Sequence, residues 1–136
     1  MTTAREIMHP GVRCIREDTT LVEAARMMRD LDVGSLPICG DDDRLCGIVT
    51  DRDIVVRAVA EGLDPATTKA GEFGGHVHWV ETGDSLDHVL KTMQDNQIRR
   101  LPVLEDERVV GIVSEADLAR HLPEEQLAAF VERVYA

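Results

Sequence analysis

Apolar side chains recur at helical spacing twice along the chain, in closely similar surroundings. Leu21, Ala24, Ala25 and Met28, and again Leu86, Val89, Leu90 and Met93, fall at i, i+3, i+4 and i+7 and mark one face of a helix. Thr20 and Glu23 form a capping box ahead of the first. After each helix the pattern changes. LPIC and LPVL lead into the polar turns GDDDR and EDER, then into LCGIVT and VVGIVS, rich in β-branched residues, which predicts a two-stranded hairpin. A second helix follows in each copy, carrying Ile54, Val55, Ala58 and Val59 in one and Leu118, Ala119 and Leu122 in the other. Short strands, VRCI (12–15) and VHWV (77–80), precede the two units behind the helical turns AREIM and AGEF. A last stripe, Leu127, Phe130, Val131 and Val134, follows Pro123, Glu124 and Glu125 and predicts an amphipathic C-terminal helix. Its apolar face must cover either its own module or a second chain.

The chain is therefore a tandem repeat. Identical residues stand at Leu21/Leu86, Met28/Met93, Asp30/Asp95, Leu36/Leu101, Pro37/Pro102, Arg44/Arg108, Gly47/Gly111, Ile48/Ile112, Val49/Val113 and Asp53/Asp117. The register slips by one residue inside the turn, where an insertion disturbs no core. Each copy reads β-α-β-β-α. A unit of about 60 residues buries too little surface to be secure alone. The expected fold is thus α/β (α+β), two such repeats packed sheet to sheet about a pseudo-twofold axis. Repeat 1 is expected over 1–65, repeat 2 over 66–122, and the C-terminal helix over 123–136.

Charge narrows the function classes. Fifteen basic against 26 acidic side chains leave a formal charge of −11, and aromatic residues make up 3% of the 136. Such a surface repels phosphate backbones and offers little for base stacking, so neither nucleic acid nor an anionic membrane is an expected partner. No apolar run approaches the roughly 20 residues of a membrane span, and MTTAREIMHP is too short and polar for a secretory signal, so a cytoplasmic location is expected. No nucleophile elbow, HExxH, Walker loop or dinucleotide fingerprint occurs, and the expectation is a protein that is not an enzyme. Asp41, Asp42 and Asp43 read as a solvated turn.

Cys14, Cys39 and Cys46 form no CxxC pair; they read as small packed thiols, with one disulfide among the three as the alternative. Cys39 and Cys46 flank the hairpin turn and Cys14 lies on the preceding strand. His76 and His78, at i and i+2, would share a strand face as a pair of metal ligands, but no third ligand lies beside them. His9, His88 and His121 read as surface or helix-end residues.

The segments CGIVTDRD (46–53) and VGIVSEAD (110–117), with GSLPI and RRLPV upstream of them, resemble the two CBS motifs of a Bateman module. The resemblance covers nearly the whole chain. CGDDDRL, TDRDIV, GLDP, RRLPV and EADLARHLPE resemble more narrowly the short stand-alone actinobacterial CBS proteins of the hypoxic-response kind, which implies a stress-associated regulatory role. In nucleotide-binding Bateman modules the motif aspartate accepts hydrogen bonds from ribose hydroxyls and the hydroxyl residue sits by the phosphate. The resemblance so implies ligand sites at Thr50 with Asp53 and at Ser114 with Asp117, for AMP, ADP, ATP or S-adenosylmethionine as a regulatory ligand. Arg52, Arg99 and Arg100 are the basic groups that would meet a phosphate. Ala116 and Glu115 weaken the second site more than the first, and Arg99 and Arg100 concentrate basic groups around one cleft, so one site is expected to dominate. Helix capping by T/S-x-x-D accounts for the same residues without a ligand. The resemblance further implies a homodimer and an unidentified protein partner; a ligand-free interaction module and a redox-responsive protein using its cysteines stand as alternatives.

Overall fold

The computed structural model describes residues 1–74 and 77–135 and divides into two compact units, Arg13–Val77 and Met1–Val12 joined with His78–Ala136. Each has its own sheet, helices and buried core, and the β-α-β-β-α order predicted for each copy is present in both.

In the unit Arg13–Val77, strand β2 (Ile15–Arg16) runs parallel to β3 (Ser35–Cys39), which pairs antiparallel with β4 (Leu45–Thr50). Helix α2 (Leu21–Leu31) makes the crossover between the parallel strands. Thr20 starts it, its hydroxyl accepting the Glu23 amide at 3.2 Å, and Asp32 ends it in the left-handed region at φ 55°. Leu21, Ala24 and Met28 of α2 pack with Ile15, Leu36, Ile38, Val49, Ala58 and Phe73. The next helix, Asp53–Val59, is wider than an α-helix: the amides of Ala60 and Leu63 donate five residues back, to the carbonyls of Val55 and Ala58.

In the other unit, the sheet order is β1 (His9–Pro10), β7 (Arg108–Ser114), β6 (Arg100–Glu105), β5 (Val80–Glu81). The β6–β7 turn holds two residues, Asp106 and Glu107, at φ 51° and 68°, the conformation that matches the twist of a tight hairpin. Ser85 caps α3 (Leu86–Asp95) by accepting the His88 amide at 3.2 Å, and α4 (Glu115–His121) and α5 (Glu124–Val134) complete the unit. Phe130 is fully buried and Val134 nearly so, in one cluster with Ile7, Val89, Met93, Leu101, Leu118 and Leu122. The tail stripe therefore covers its own unit.

The sequence repeat and the compact units do not share boundaries at their lead-in segments. Residues 1–12 lie with the second repeat, and the linker after residue 65 serves the first. The equivalence is close. Leu86 donates its amide to Thr2 at 2.9 Å and Leu21 to Thr68 at 3.0 Å; Ala4 donates to Asp84 at 2.8 Å and Ala70 to Thr19 at 2.7 Å. The helical turns Ala4–Ile7 (α1) and Ala70–Phe73 are thus counterparts, each docked by backbone hydrogen bonds on the start of a repeat helix. The motif glycines admit these segments. A Cβ on Gly47 would lie 2.5 Å from the Gly74 Cα, and one on Gly111 would lie 2.5 Å from the Met8 sulfur and 2.9 Å from the His9 carbonyl oxygen.

The strands predicted at 12–15 and 77–80 are shorter and shifted, to Ile15–Arg16 and Val80–Glu81. Each is an edge strand with two residues paired to its parallel neighbour, so pairing, not β-propensity, sets its length.

A candidate ligand site at two strand-to-helix corners

Both T/S-x-x-D segments sit where the last hairpin strand turns into a helix. At the first, the Thr50 amide donates to Asp53 Oδ2 at 2.9 Å and the Asp53 amide donates back to the Thr50 hydroxyl at 3.1 Å. Asp51 ties the corner to the sheet by donating its amide to the Gly34 carbonyl at 3.0 Å. Oδ1 of Asp53 faces Arg57 at 3.5 Å, and that guanidinium lies over the Phe73 ring, 4.9 Å from its centroid. At the second corner the Ser114 amide and hydroxyl both donate to Asp117 Oδ2, at 2.8 and 3.0 Å, and Arg120 meets Oδ1 at 3.3 Å.

Both carboxylates cap their helices, so the capping account holds at each corner. They differ in what remains. The Asp53 side chain keeps 21% of its surface exposed and Asp117 keeps 8%, so the first corner presents an acceptor oxygen more openly. Two vicinal hydroxyls carry two donors, which suits a carboxylate with spare acceptor capacity. Arg52 stands exposed beside Asp53 with no side-chain partner among the described residues. At the second corner Glu115 carries a buried carboxylate oxygen without a hydrogen-bond partner among the described residues, a poor setting for an anion.

Thr50, Arg52 and Asp53 belong to one compact unit; Arg99, Arg100, Ser114 and Asp117 belong to the other. Arg100 stands directly across the hairpin from Ser114. Arg99 is engaged by the tail: its guanidinium lies 5.0 Å from the Tyr135 ring centroid and donates to the phenol oxygen at 3.1 Å.

Cys14 and Cys39 form a disulfide with Cα atoms 5.7 Å apart, linking the residue before β2 to the end of β3. The register Arg16↔Cys39 brings the two chain segments side by side. Cys46 is free; burial first, then the carboxylates of Glu17 and Asp42, push its thiol above the ordinary value, so it is held as a thiol rather than a reactive thiolate. His76 lies outside the described residues. His78 is half-buried ahead of β5. Among the described residues no three His, Cys, Asp or Glu side chains gather as a metal site, and no helix is long and apolar enough to cross a membrane.

The CBS domain model matches residues 4–59 and 75–124. Hypoxic response protein 1 of Mycobacterium tuberculosis is 52% identical over 135 residues, covering 98% of this chain and 94% of that protein. The crystal structure of Hypoxic Response Protein I with two coordinated zinc ions superposes with a TM-score of 0.82 at 54% identity, covering 90% of this chain and all of that one. The CBS domain pair of protein MJ0100, solved in complex with 5′-methylthioadenosine and S-adenosyl-L-methionine, superposes with a TM-score of 0.78 at 28% identity, covering 88% of this chain and 94% of that one.

Proposed function

The chain belongs to the CBS-domain family, and on that premise we propose that it is a regulatory sensor that binds an adenosine-containing ligand through its T/S-x-x-D corners, chiefly at Thr50 and Asp53. The observation that carries this reading is the Asp53 carboxylate, more exposed than that of Asp117, beside Arg52, whose side chain has no partner among the described residues. Ribose hydroxyls would donate to Asp53 Oδ1, while Arg52 would meet the ligand's anionic end. The adenosine complex of the MJ0100 pair supports the ligand class. Ser114 and Asp117 form the weaker second site, because Asp117 keeps less of its surface exposed and accepts one donor more, the Ser114 hydroxyl, than Asp53 does. Arg100, beside Ser114, would serve that second site. No residue is assigned a catalytic role. The sensor works as a homodimer in the cytoplasm and passes its state to a protein partner under stress; the exposed Val55, Val56 and Val59 offer an apolar face for a second copy.

The test is a thermal-shift screen with AMP, ADP, ATP and S-adenosylmethionine on the full chain and on Asp53→Asn and Asp117→Asn. Asparagine still caps a helix, so unliganded stability should move by less than about 1 kcal/mol. A bound ligand at 100 times its Kd adds about 2.7 kcal/mol. Asp53→Asn should abolish most of that gain and Asp117→Asn little of it. A wild-type chain that gains nothing from any of the four, or an Asp53→Asn variant that keeps the full gain, refutes the reading.

A second reading rests on the two zinc ions coordinated in the structure of the hypoxic response relative: zinc would bind this chain too, with His76 and His78 as the candidate ligands from its sequence. Zinc chloride in the same screen, against a His78→Ala variant, separates it from the nucleotide reading.

A further inference from the structure

The two units treat the groove between their repeat helices differently. In the unit containing the second repeat the groove is filled from within. Helix α5 packs across α3 and α4, and its Leu127, Phe130 and Val134 join Leu86, Leu90 and Leu118 in one cluster. The repeat positions matching Leu86, Leu90 and Leu118 are Leu21, Ala25 and Ile54. Leu21 is fully buried in the core of its own unit, but among the described residues no counterpart of α5 follows the helix Asp53–Val59, and Ala25 stays exposed and Ile54 half-buried. The chain turns at Gly62 instead, and Pro65 crosses only the beginning of α2, where its carbonyl accepts the Val22 amide at 3.0 Å. What remains is an open groove of about 330 Å³ whose apolar lining is Val22, Ala25, Ile54 and Pro65 over the buried Leu21, with Arg26 and Arg29 along it.

We propose that this groove docks an amphipathic helix of a partner protein, one with leucine or phenylalanine anchors a turn apart and an acidic flank. The pattern of anchors is the one the chain itself supplies to the matching place in its other unit. The flank follows from charge. The charged residues lining the groove are both arginines, in a chain of net charge −11, and Arg26 has no hydrogen bond or ion pair among the described residues. Arg29 pairs with its neighbour Asp30 at 2.8 Å and keeps its exposed charge. A second copy presenting the same groove across a twofold axis would set arginines against arginines, which disfavours it as the occupant. An acidic helix meets both needs at once. The groove contains none of Thr50, Asp53, Ser114 or Asp117, so the inference stands apart from the ligand reading.

The test uses the full chain without nucleotide and a fluorescein-labelled peptide of the sequence Pro123–Tyr135, which carries Leu127, Phe130 and Val134 as anchors and Glu124 and Glu125 as the acidic flank. Fluorescence anisotropy should show saturable binding. Ala25→Glu should weaken it more than tenfold and Arg26→Ala severalfold, and a peptide with both glutamates changed to glutamine should bind more weakly. Ala25 and Arg26 are exposed, so both variants should keep the wild-type melting temperature. No binding overturns the proposal. So does equal binding to Ala25→Glu, which would put the peptide at the α5 position of the other unit. Conversion of a dimer to a monomer by Ala25→Glu in sedimentation would assign the groove to a second copy and overturn it equally.

Discussion

Replacing Phe130 by alanine tests whether the tail helix is part of a folded unit or a device for joining two chains. The ring is fully buried among Val89, Leu118, Leu122 and Val134. Returning such a side chain to water costs about 1.5–3 kcal/mol in transfer free energy. The void left behind adds roughly 2 kcal/mol, at about 24 cal/mol per Å³ for about 100 Å³ of lost ring, so a total of about 3–5 kcal/mol is expected. Val131, one residue on, keeps 39% of its surface exposed, and Val131→Ala should cost less than about 1 kcal/mol. The assay is equilibrium unfolding in guanidinium chloride at two protein concentrations twentyfold apart. Phe130→Ala should lower the unfolding midpoint by the same free energy at both, because the contacts it loses lie within one unit. If the two clusters unfold separately, the transition of the unit containing α5 should be the one that moves. A loss below 1 kcal/mol would refute the packing. A loss that changes with protein concentration would move the ring into an interface between chains.

Two further outcomes follow from the packing around β4. Gly47→Ala places a Cβ 2.5 Å from the Gly74 Cα, a backbone neighbour that cannot swing aside, so thermal unfolding should show a loss of about 1–3 kcal/mol; Gly83→Ala, with nothing within 4 Å, should be neutral, and equal stability of the two variants would contradict the close approach. Thiol titration of unreduced, denatured protein should find one free group, Cys46, and three after reduction. In the native chain Cys46 should alkylate more slowly than an unfolded cysteine at pH 8, because burial and the Glu17 and Asp42 carboxylates hold its thiol above the ordinary value. The raised thiol contributes stability that is intact below the ordinary thiol value and is lost as the pH climbs through the folded one. Rapid alkylation at pH 8 would contradict the raised thiol of this half-buried residue.

Periodicity and turn chemistry carried the local architecture, because both act over a few residues. Leu21, Ala24 and Met28 had to share a helix face, Thr20 and Ser85 had to start helices, and the β-branched segments around Gly47 and Gly111 had to form hairpins. The T/S-x-x-D corners were legible for the same reason: the hydroxyl, the carboxylate and the amides they satisfy lie within four residues. What tertiary structure decided depends on contacts between distant segments, and those leave no short-range trace. The lead-in turn Ala4–Ile7 belongs with a repeat some 80 residues later because Leu86 and Thr2 share a backbone hydrogen bond, and main-chain groups are the same in every residue. Cys39 found Cys14 rather than Cys46 through the parallel register of β2 and β3. Arg99 found Tyr135, and Phe130 its own unit, through the path of the tail. Two copies of one motif came to differ, one groove filled and one left open, because among the described residues only the second repeat is followed by a helix long enough to cover it.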